Sequence, residues 1–236
     1  MYMLKVENLY LRISNTDILR NLSIKVEKGE IVAIVGRNGA GKSSTFKSIV
    51  GIYKPAGGKI IMDDQDITGL PTHLRVRNGI GYVPEDMRIF PWLTARENIH
   101  LAAYLSRNLD RYEEIMEIIL TIFPEIKQFL DREGFYLSGG EKKMLAIARS
   151  LATLPKYLLI DEALEGLAPI VVERFRDAIK MIKERGIGIV IAESNVLLAT
   201  KTAERLYVLE RGEIIFEGSS EQLLSNPEVM KILRGT

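Results

Sequence analysis

An α/β fold with a largely parallel sheet and a phosphate-binding loop is predicted by three stretches of this chain. Gly36-Arg37-Asn38-Gly39-Ala40-Gly41-Lys42-Ser43 fits G-x-x-x-x-G-K-[ST] and lies between a strand signal and a helix signal, the setting that motif requires. Tyr157-Leu158-Leu159-Ile160 is an apolar strand ending in two carboxylates, Asp161 and Glu162. Leu137-Ser138-Gly139-Gly140-Glu141 stands between them in the chain. Strand and helix signals alternate around all three, with no low-complexity tract and no obvious repeat.

Taken in order, Leu4 to Val26 alternates apolar and polar residues, which suits antiparallel strands with one face buried. After a turn at Lys28-Gly29, Ile31 to Val35 is an unbroken apolar run, as expected of a strand covered on both faces. A helix is expected from Lys42 to about Val50, then antiparallel strand from Gly57-Gly58 through Lys59 to Ile67, and a buried strand over Ile80 to Val83. From Asp86 to Thr153 the pattern turns helical, with Thr94-Ala95-Arg96-Glu97 as a capping box. Strands return at Tyr157 to Ile160, Ile187 to Ala192, Leu206 to Leu209 and Glu213 to Phe216, with a helix from about Val171 to Arg185 and a short helical segment punctuated by Asn226-Pro227. One domain is expected, with an antiparallel and phosphate-loop part (1–85), a helical part (86–153) and a second core part (154–236).

Composition narrows the function classes. The 236 residues, 47% hydrophobic, can bury one substantial core with a subdomain inserted. Thirty-two basic residues against 31 acidic leave a formal charge of +1, so no nucleic-acid partner is expected. The absence of cysteine excludes disulfides and thiolate metal sites and fits a reducing cytosol. Ile31 to Val35 and Ile187 to Ala192 are far too short to cross a bilayer, and no basic, apolar signal segment opens the chain. Any membrane role is expected to come through a partner.

The glycines from Gly36 to Gly41 let backbone N–H groups wrap around phosphates, and the helix beginning near Lys42 adds its positive dipole end. Lys42 is expected to reach the β and γ phosphates, and the Ser43 hydroxyl to bind Mg2+. Asp161 would hold Mg2+, and Glu162 would orient or deprotonate the attacking water. A strand ending in acids is common by itself; the loop upstream gives it meaning. Ser138-Gly139-Gly140-Glu141 reads two ways, as a capping box opening a helix from Glu141 to about Ala152 and as a phosphate-contacting loop. A cap alone does not call for two consecutive glycines, whereas close approach of backbone to phosphate does. Leu145, Ala148, Leu151 and Ala152 read as core, and Lys142, Lys143 and Arg149 as solvated charges.

On these residues the chain resembles, over nearly its whole length, the nucleotide-binding subunits of ATP-binding cassette (ABC) transporters. Gly36 to Ser43 corresponds to Walker A, Leu137 to Glu141 to the signature and Tyr157 to Glu162 to Walker B. Gly81-Tyr82-Val83-Pro84-Glu85, Gly140 to Arg149 and Gly166-Leu167-Ala168-Pro169 are similar to the LivF type from branched-chain (hydrophobic) amino acid importers. The resemblance implies a RecA-like P-loop core with an N-terminal antiparallel β subdomain and an inserted helical subdomain. It implies nucleotide contacts from Gly36, Arg37, Asn38, Gly39, Ala40, Gly41, Lys42, Ser43 and Ser44, and from Ser138, Gly139, Gly140 and Glu141 towards the ATP of a second subunit. The partners implied are a homodimeric or LivG-like second ATPase, transmembrane permease subunits near Asp86 to Glu97 and, indirectly, a substrate-binding protein. The expected location is the inner face of the cell membrane, held there by the permease. Phe90 and Trp92 are candidate permease contacts or packing residues.

Several positions depart from the wider family. Glu85 stands where most members have a metal-contacting glutamine, and Ser194 where they have a switch histidine; a serine is shorter and cannot become an imidazolium, so it is not expected to contact the γ-phosphate directly. The adenine-stacking aromatic aligns with Ile13, with Tyr10 nearby. Ala163, Leu164 and Glu165 replace the Pro-Ser-Leu of related importers. His73 and His100 read as plain surface or helix residues. Two other functions fit the same motifs: a regulatory partner of a more active ATPase, and the ATPase of a lipid or lipopolysaccharide exporter.

Overall fold

A computed structural model describes residues 2–162 and 166–234; Ala163, Leu164 and Glu165 lie outside the described residues. The N-terminal alternation forms a hairpin of β1 (Met3–Ile13) and β2 (Thr16–Glu27). Leu4, Val6, Leu9 and Leu11 share its buried face with Leu19, Leu22, Ile24 and Val26. Burial of each such side chain contributes about 1.5–3 kcal/mol, so this face holds the hairpin in register. β4 (Gly57–Met62) and β5 (Gln65–Asp66) complete an antiparallel sheet in the order β2-β1-β4-β5.

The second sheet contains β3 (Ile31–Val35), β6 (Ile80–Val83), β7 (Tyr157–Asp161), β8 (Gly188–Glu193), β9 (Arg205–Glu210) and β10 (Glu213–Gly218) in the order β10-β9-β3-β8-β7-β6. Its pairs are parallel except for the β9–β10 hairpin. Every residue of β3, β7 and β8 is buried, which explains their continuous apolar sequences. Val32 and Ile34 face a core shared with the antiparallel sheet and α1 (Lys42–Val50), whereas Ile31, Ala33 and Val35 face a core built on helices.

Those helices are α3 (Ala95–Leu105), α4 (Tyr112–Ile122), α5 (Gly139–Leu151) and α6 (Pro169–Glu184). Thr94 caps α3 and Ser138 caps α5, each through a complete capping box. Because Ser138 is the cap, α5 begins at Gly139, two residues before the expected start at Glu141. Residues 86–93 are not helical as expected. They form a loop held by the buried Asn98, whose amide donates to the Phe90, Leu93 and Thr94 carbonyls.

Two further helices, α2 (Thr72–Asn78) and α7 (Val196–Thr202), are absent from the sequence reading. Both span seven residues, too few for a helical period to stand out. The residue anchoring α2 is Arg75, 2% exposed. Its guanidinium donates to the carbonyls of Leu70, Thr68, Ser48 and Ile49, and so ties α2 to the end of α1. Asn226-Pro227 separates α8 (Ser220–Leu224) from α9 (Pro227–Arg234). Among the described residues, no helix is long and apolar enough to cross a membrane.

Candidate active site

Neighbouring parallel strands leave their carboxyl ends on one edge of the sheet. β3, β8, β7 and β6 are consecutive and parallel, with Val35 opposite Glu193, Asp161 opposite Ala192 and Val83 opposite Ile160. The segments leaving these strands therefore meet: Gly36 to Ser43 after β3, Ser194 after β8, Glu162 after β7 and Glu85 after β6.

The loop after β3 is shaped by close backbone contact. A Cβ on Gly36 would lie 2.3 Å from the Leu209 carbonyl oxygen, so only glycine fits. Gly41 caps α1 with φ 114°, a conformation that L side chains rarely adopt. No side chain bonds the cap and no acid occupies the first turn, so the N–H groups and positive end of α1 suit an anion. Ala40 is buried, Gly39 borders open space, and the Ser44 carbonyl accepts from Ser48 within α1. Arg37, Asn38, Gly39, Ala40, Ser194 and Arg211 line a cavity of about 500 Å³ at the loop's mouth.

Lys42 is 4% exposed and sits at the centre of this arrangement. Its Nζ donates to Gly36 O (2.8 Å), Arg37 O (3.3 Å) and Ser194 Oγ (3.0 Å) and lies 3.0 Å from Glu162 Oε1. Ser194 Oγ lies 2.8 Å from Glu162 Oε1 and 2.7 Å from Asn38 Oδ1. A hydroxyl has one proton, and the charged carboxylate is the stronger acceptor. Ser194 thus donates to Glu162 while accepting from Lys42. Glu162 itself holds φ at 48°, a costly conformation for a residue with a side chain, while its N–H donates to Ala192 O.

The second carboxylate is buried beside the first. Asp161 is 1% exposed; its Oδ1 accepts from Ser43 Oγ (3.1 Å) and its Oδ2 from the Tyr82 phenol (3.2 Å). Burial raises its pKa and the charges of Glu162 and Glu85 add to this, against the two hydroxyl hydrogen bonds. Ser43, Glu85 and Asp161 line one cavity of about 330 Å³. Among the described residues, no three His, Cys, Asp or Glu side chains are grouped to hold a metal ion. One hydroxyl and one carboxylate suit a Mg2+ ion that also keeps water and substrate oxygens.

The remaining sequence-predicted residues lie outside these two cavities. Ile13 pairs with Thr16 at the tip of the β1–β2 hairpin and is 37% exposed. Ser138 Oγ accepts from Glu141 N–H, while the Glu141 carboxylate accepts from Ser138 N–H and from Arg132. A Cβ on Gly139 would meet nothing within 4 Å, so backbone is open to approach there. Arg149 is not the solvated charge expected from its sequence. Its guanidinium lies 4.9 Å from the Phe90 ring centroid and donates to Arg88 O, and burial lowers its pKa. Trp92 is 73% exposed and stacks on Phe135. His100 lies exposed with its ring edge to Tyr112, and His73 is exposed on α2.

Two contributors are missed by sequence reasoning. Ser194 reads as a lost function because only its distance from phosphate is considered, not its distance from Glu162. Tyr82 lies within a quoted motif and points from β6 to Asp161; its place three residues before Glu85, at the end of a buried strand, is the available signal.

A glycine-lined loop at a helix start, with lysine and two carboxylates at adjacent parallel strand ends, defines a P-loop nucleotide-hydrolysing cassette. The chain belongs to the ABC transporter family, whose model matches residues 19–165. The branched-chain amino acid transport ATP-binding protein BraG of Pseudomonas aeruginosa is 38% identical over 89% of this chain and 90% of its own length. The lipopolysaccharide export ATP-binding protein LptB of Haemophilus influenzae is 36% identical over 100% of this chain and 98% of its own. Among solved structures, the ADP conformation of the ATP-binding cassette MJ1267 superposes with a TM-score of 0.85 at 29% identity, covering 100% of both chains. A dimeric structure of the cassette MJ0796 gives 0.80 at 27% identity, over 92% of this chain and 98% of that one. The protein is thus an ATP-hydrolysing subunit of a transporter, with the mixed α/β cassette fold expected.

Proposed function

We propose that the residues gathered at the strand ends hydrolyse ATP to drive import of branched-chain or other hydrophobic amino acids. The backbone from Gly36 to Ser44 and the start of α1 bind the phosphates, and Lys42 turns from Glu162 and Ser194 to the β and γ oxygens. Ser43 and Asp161 hold Mg2+, with Glu85 in the same cavity. Held there, a Mg2+ ion would supply positive charge against that of the phosphoryl group. Glu162 orients the attacking water and accepts its proton. Ile13 supplies an aliphatic contact to the base.

Ser138, Gly139 and Gly140 act on ATP held by a second subunit, identical or LivG-like, and Glu141 shapes their loop through its bonds to Ser138 and Arg132. Residues 86–153 form a helical subdomain between the parts 1–85 and 154–236. The loop before α3 contacts permease subunits at the membrane, which are served by a substrate-binding protein. Closure on ATP and reopening after hydrolysis move the permease.

The observation carrying this reading is the joint contact of Lys42, Ser194 and Glu162, residues from three separate strand ends. In Glu162→Gln, ATP binding should persist while phosphate release falls at least about a hundredfold, within the usual contribution of a general base. Equal hydrolysis by variant and parent overturns the assignment of Glu162. The BraG likeness supports import, while the LptB likeness, which spans the whole chain, supports lipopolysaccharide export as a second reading. Proteins copurifying from the native membrane separate them: a periplasmic-type binding protein supports import, and lipopolysaccharide-transport permeases support export.

A further inference from the structure

We infer that Tyr82 is a positioning residue for the metal carboxylate, binding one oxygen of Asp161 so that the other faces Ser43 and the metal. This rests on the reading of Asp161 as a Mg2+ ligand. Asp161 is almost fully buried, and its two hydrogen-bond donors among the described residues, Ser43 and Tyr82, are both neutral hydroxyls. They divide its oxygens, with Ser43 on Oδ1 (3.1 Å) and Tyr82 on Oδ2 (3.2 Å). A carboxylate with one donor can rotate about its last bond; one held at both oxygens keeps its plane.

The phenol is itself held in place. Tyr82 lies on β6 opposite Leu159, two residues before Asp161 on the adjacent strand, so its hydroxyl reaches Asp161 diagonally across the pair. The fully buried Phe46, on the helix that follows the phosphate loop, packs against the Tyr82 ring with centroids 6.3 Å apart at 83°. Tyr82 also lines the cavity that contains Ser43, Glu85 and Asp161. The strand leading to Glu85, already paired with β7 through its backbone, thereby gains a side-chain bond to the metal carboxylate. Tyrosine serves here because an aromatic ring fills the space against Phe46 and carries a donor beyond it. Phenylalanine would pack equally and bind nothing.

The test compares the affinity of the full chain for the non-hydrolysable ATP analogue AMP-PNP with and without Mg2+, measured by calorimetry. The ratio of the two affinities isolates the metal's contribution without turnover. In Tyr82→Phe the ratio should fall about tenfold, the effect of one hydrogen bond to a charged group, while metal-free affinity stays within about twofold. An unchanged ratio, or an equal loss of affinity with and without Mg2+, overturns the inference; the equal loss would mean that Tyr82 only supports the fold. Asp161→Asn serves as the reference. If it leaves the ratio intact, the reading of Asp161 as a metal ligand fails as well; if it abolishes the ratio while Tyr82→Phe does not, only the role of Tyr82 fails.

Discussion

Removing the Ser194 hydroxyl should slow hydrolysis while leaving ATP binding nearly intact. Ser194 Oγ lies 2.8 Å from Glu162 Oε1 and accepts from Lys42 Nζ at 3.0 Å. A hydrogen bond to a charged group contributes about 1.5–3 kcal/mol. In Ser194→Ala, Glu162 loses one side-chain bond while its N–H stays on Ala192 O and holds its backbone, so the loss belongs at the low end of that range. With Glu162 as the proposed water-orienting carboxylate, about 1.5 kcal/mol of misplacement corresponds to a roughly tenfold lower kcat. Lys42 retains the carbonyls of Gly36 and Arg37, so KM for ATP should change by less than about twofold. Ser194→Thr keeps the hydroxyl and should recover most of kcat. Steady-state phosphate release over a range of ATP concentrations reads all three. A parental kcat in Ser194→Ala, or a matching rise in KM, refutes the claim that this serine places Glu162.

Two predictions concern the fold that supports the site. Arg75→Met leaves the carbonyls of Leu70, Thr68, Ser48 and Ile49 without their buried donor, at a cost of about 3 kcal/mol; thermal unfolding should shift down by about 6–12 °C, and a shift under about 2 °C contradicts this account of α2. Glu125 receives Arg174 Nε at 2.6 Å and Nη2 at 3.0 Å, and that side-chain bond holds its pKa below the ordinary value. A lowered carboxylate stabilises the fold above its unfolded pKa and loses that contribution as pH falls through the lower, folded value. The pair is partly exposed and screened, so Glu125→Gln should cost only about 1 kcal/mol at pH 7, with the gap closing as pH falls through the lowered folded value. A pH-independent gap in denaturant titrations contradicts the ionic origin.

What was legible in the sequence follows the physics of each element. β3 and β7 announce themselves because strands covered on both faces carry unbroken apolar runs. The phosphate loop does so because Gly36 and Gly41 answer to backbone constraints that no other residue meets. α2 was invisible because its anchor is a buried arginine satisfied by carbonyl oxygens, whereas sequence patterning assigns arginine to solvent. Arg149 misleads in the same way, since a ring face at Phe90 replaces water on one side. In the site, the loop and both carboxylates were readable as motifs. The bonds from Ser194 to Glu162 and from Tyr82 to Asp161 were not, because they depend on strand order, which brings β8 and β6 to either side of β7.

The account's central claim is that one subunit's phosphate loop works with another subunit's Ser138-Gly139-Gly140 loop. It is tested by measuring phosphate release from an equimolar mixture of Lys42→Ala and Ser138→Arg chains, each inactive alone. In a mixed dimer, one site pairs the intact phosphate loop of the Ser138→Arg chain with the intact Ser138 loop of the Lys42→Ala chain. ATPase activity should therefore appear on mixing. A mixture no more active than either variant by itself contradicts the composite site.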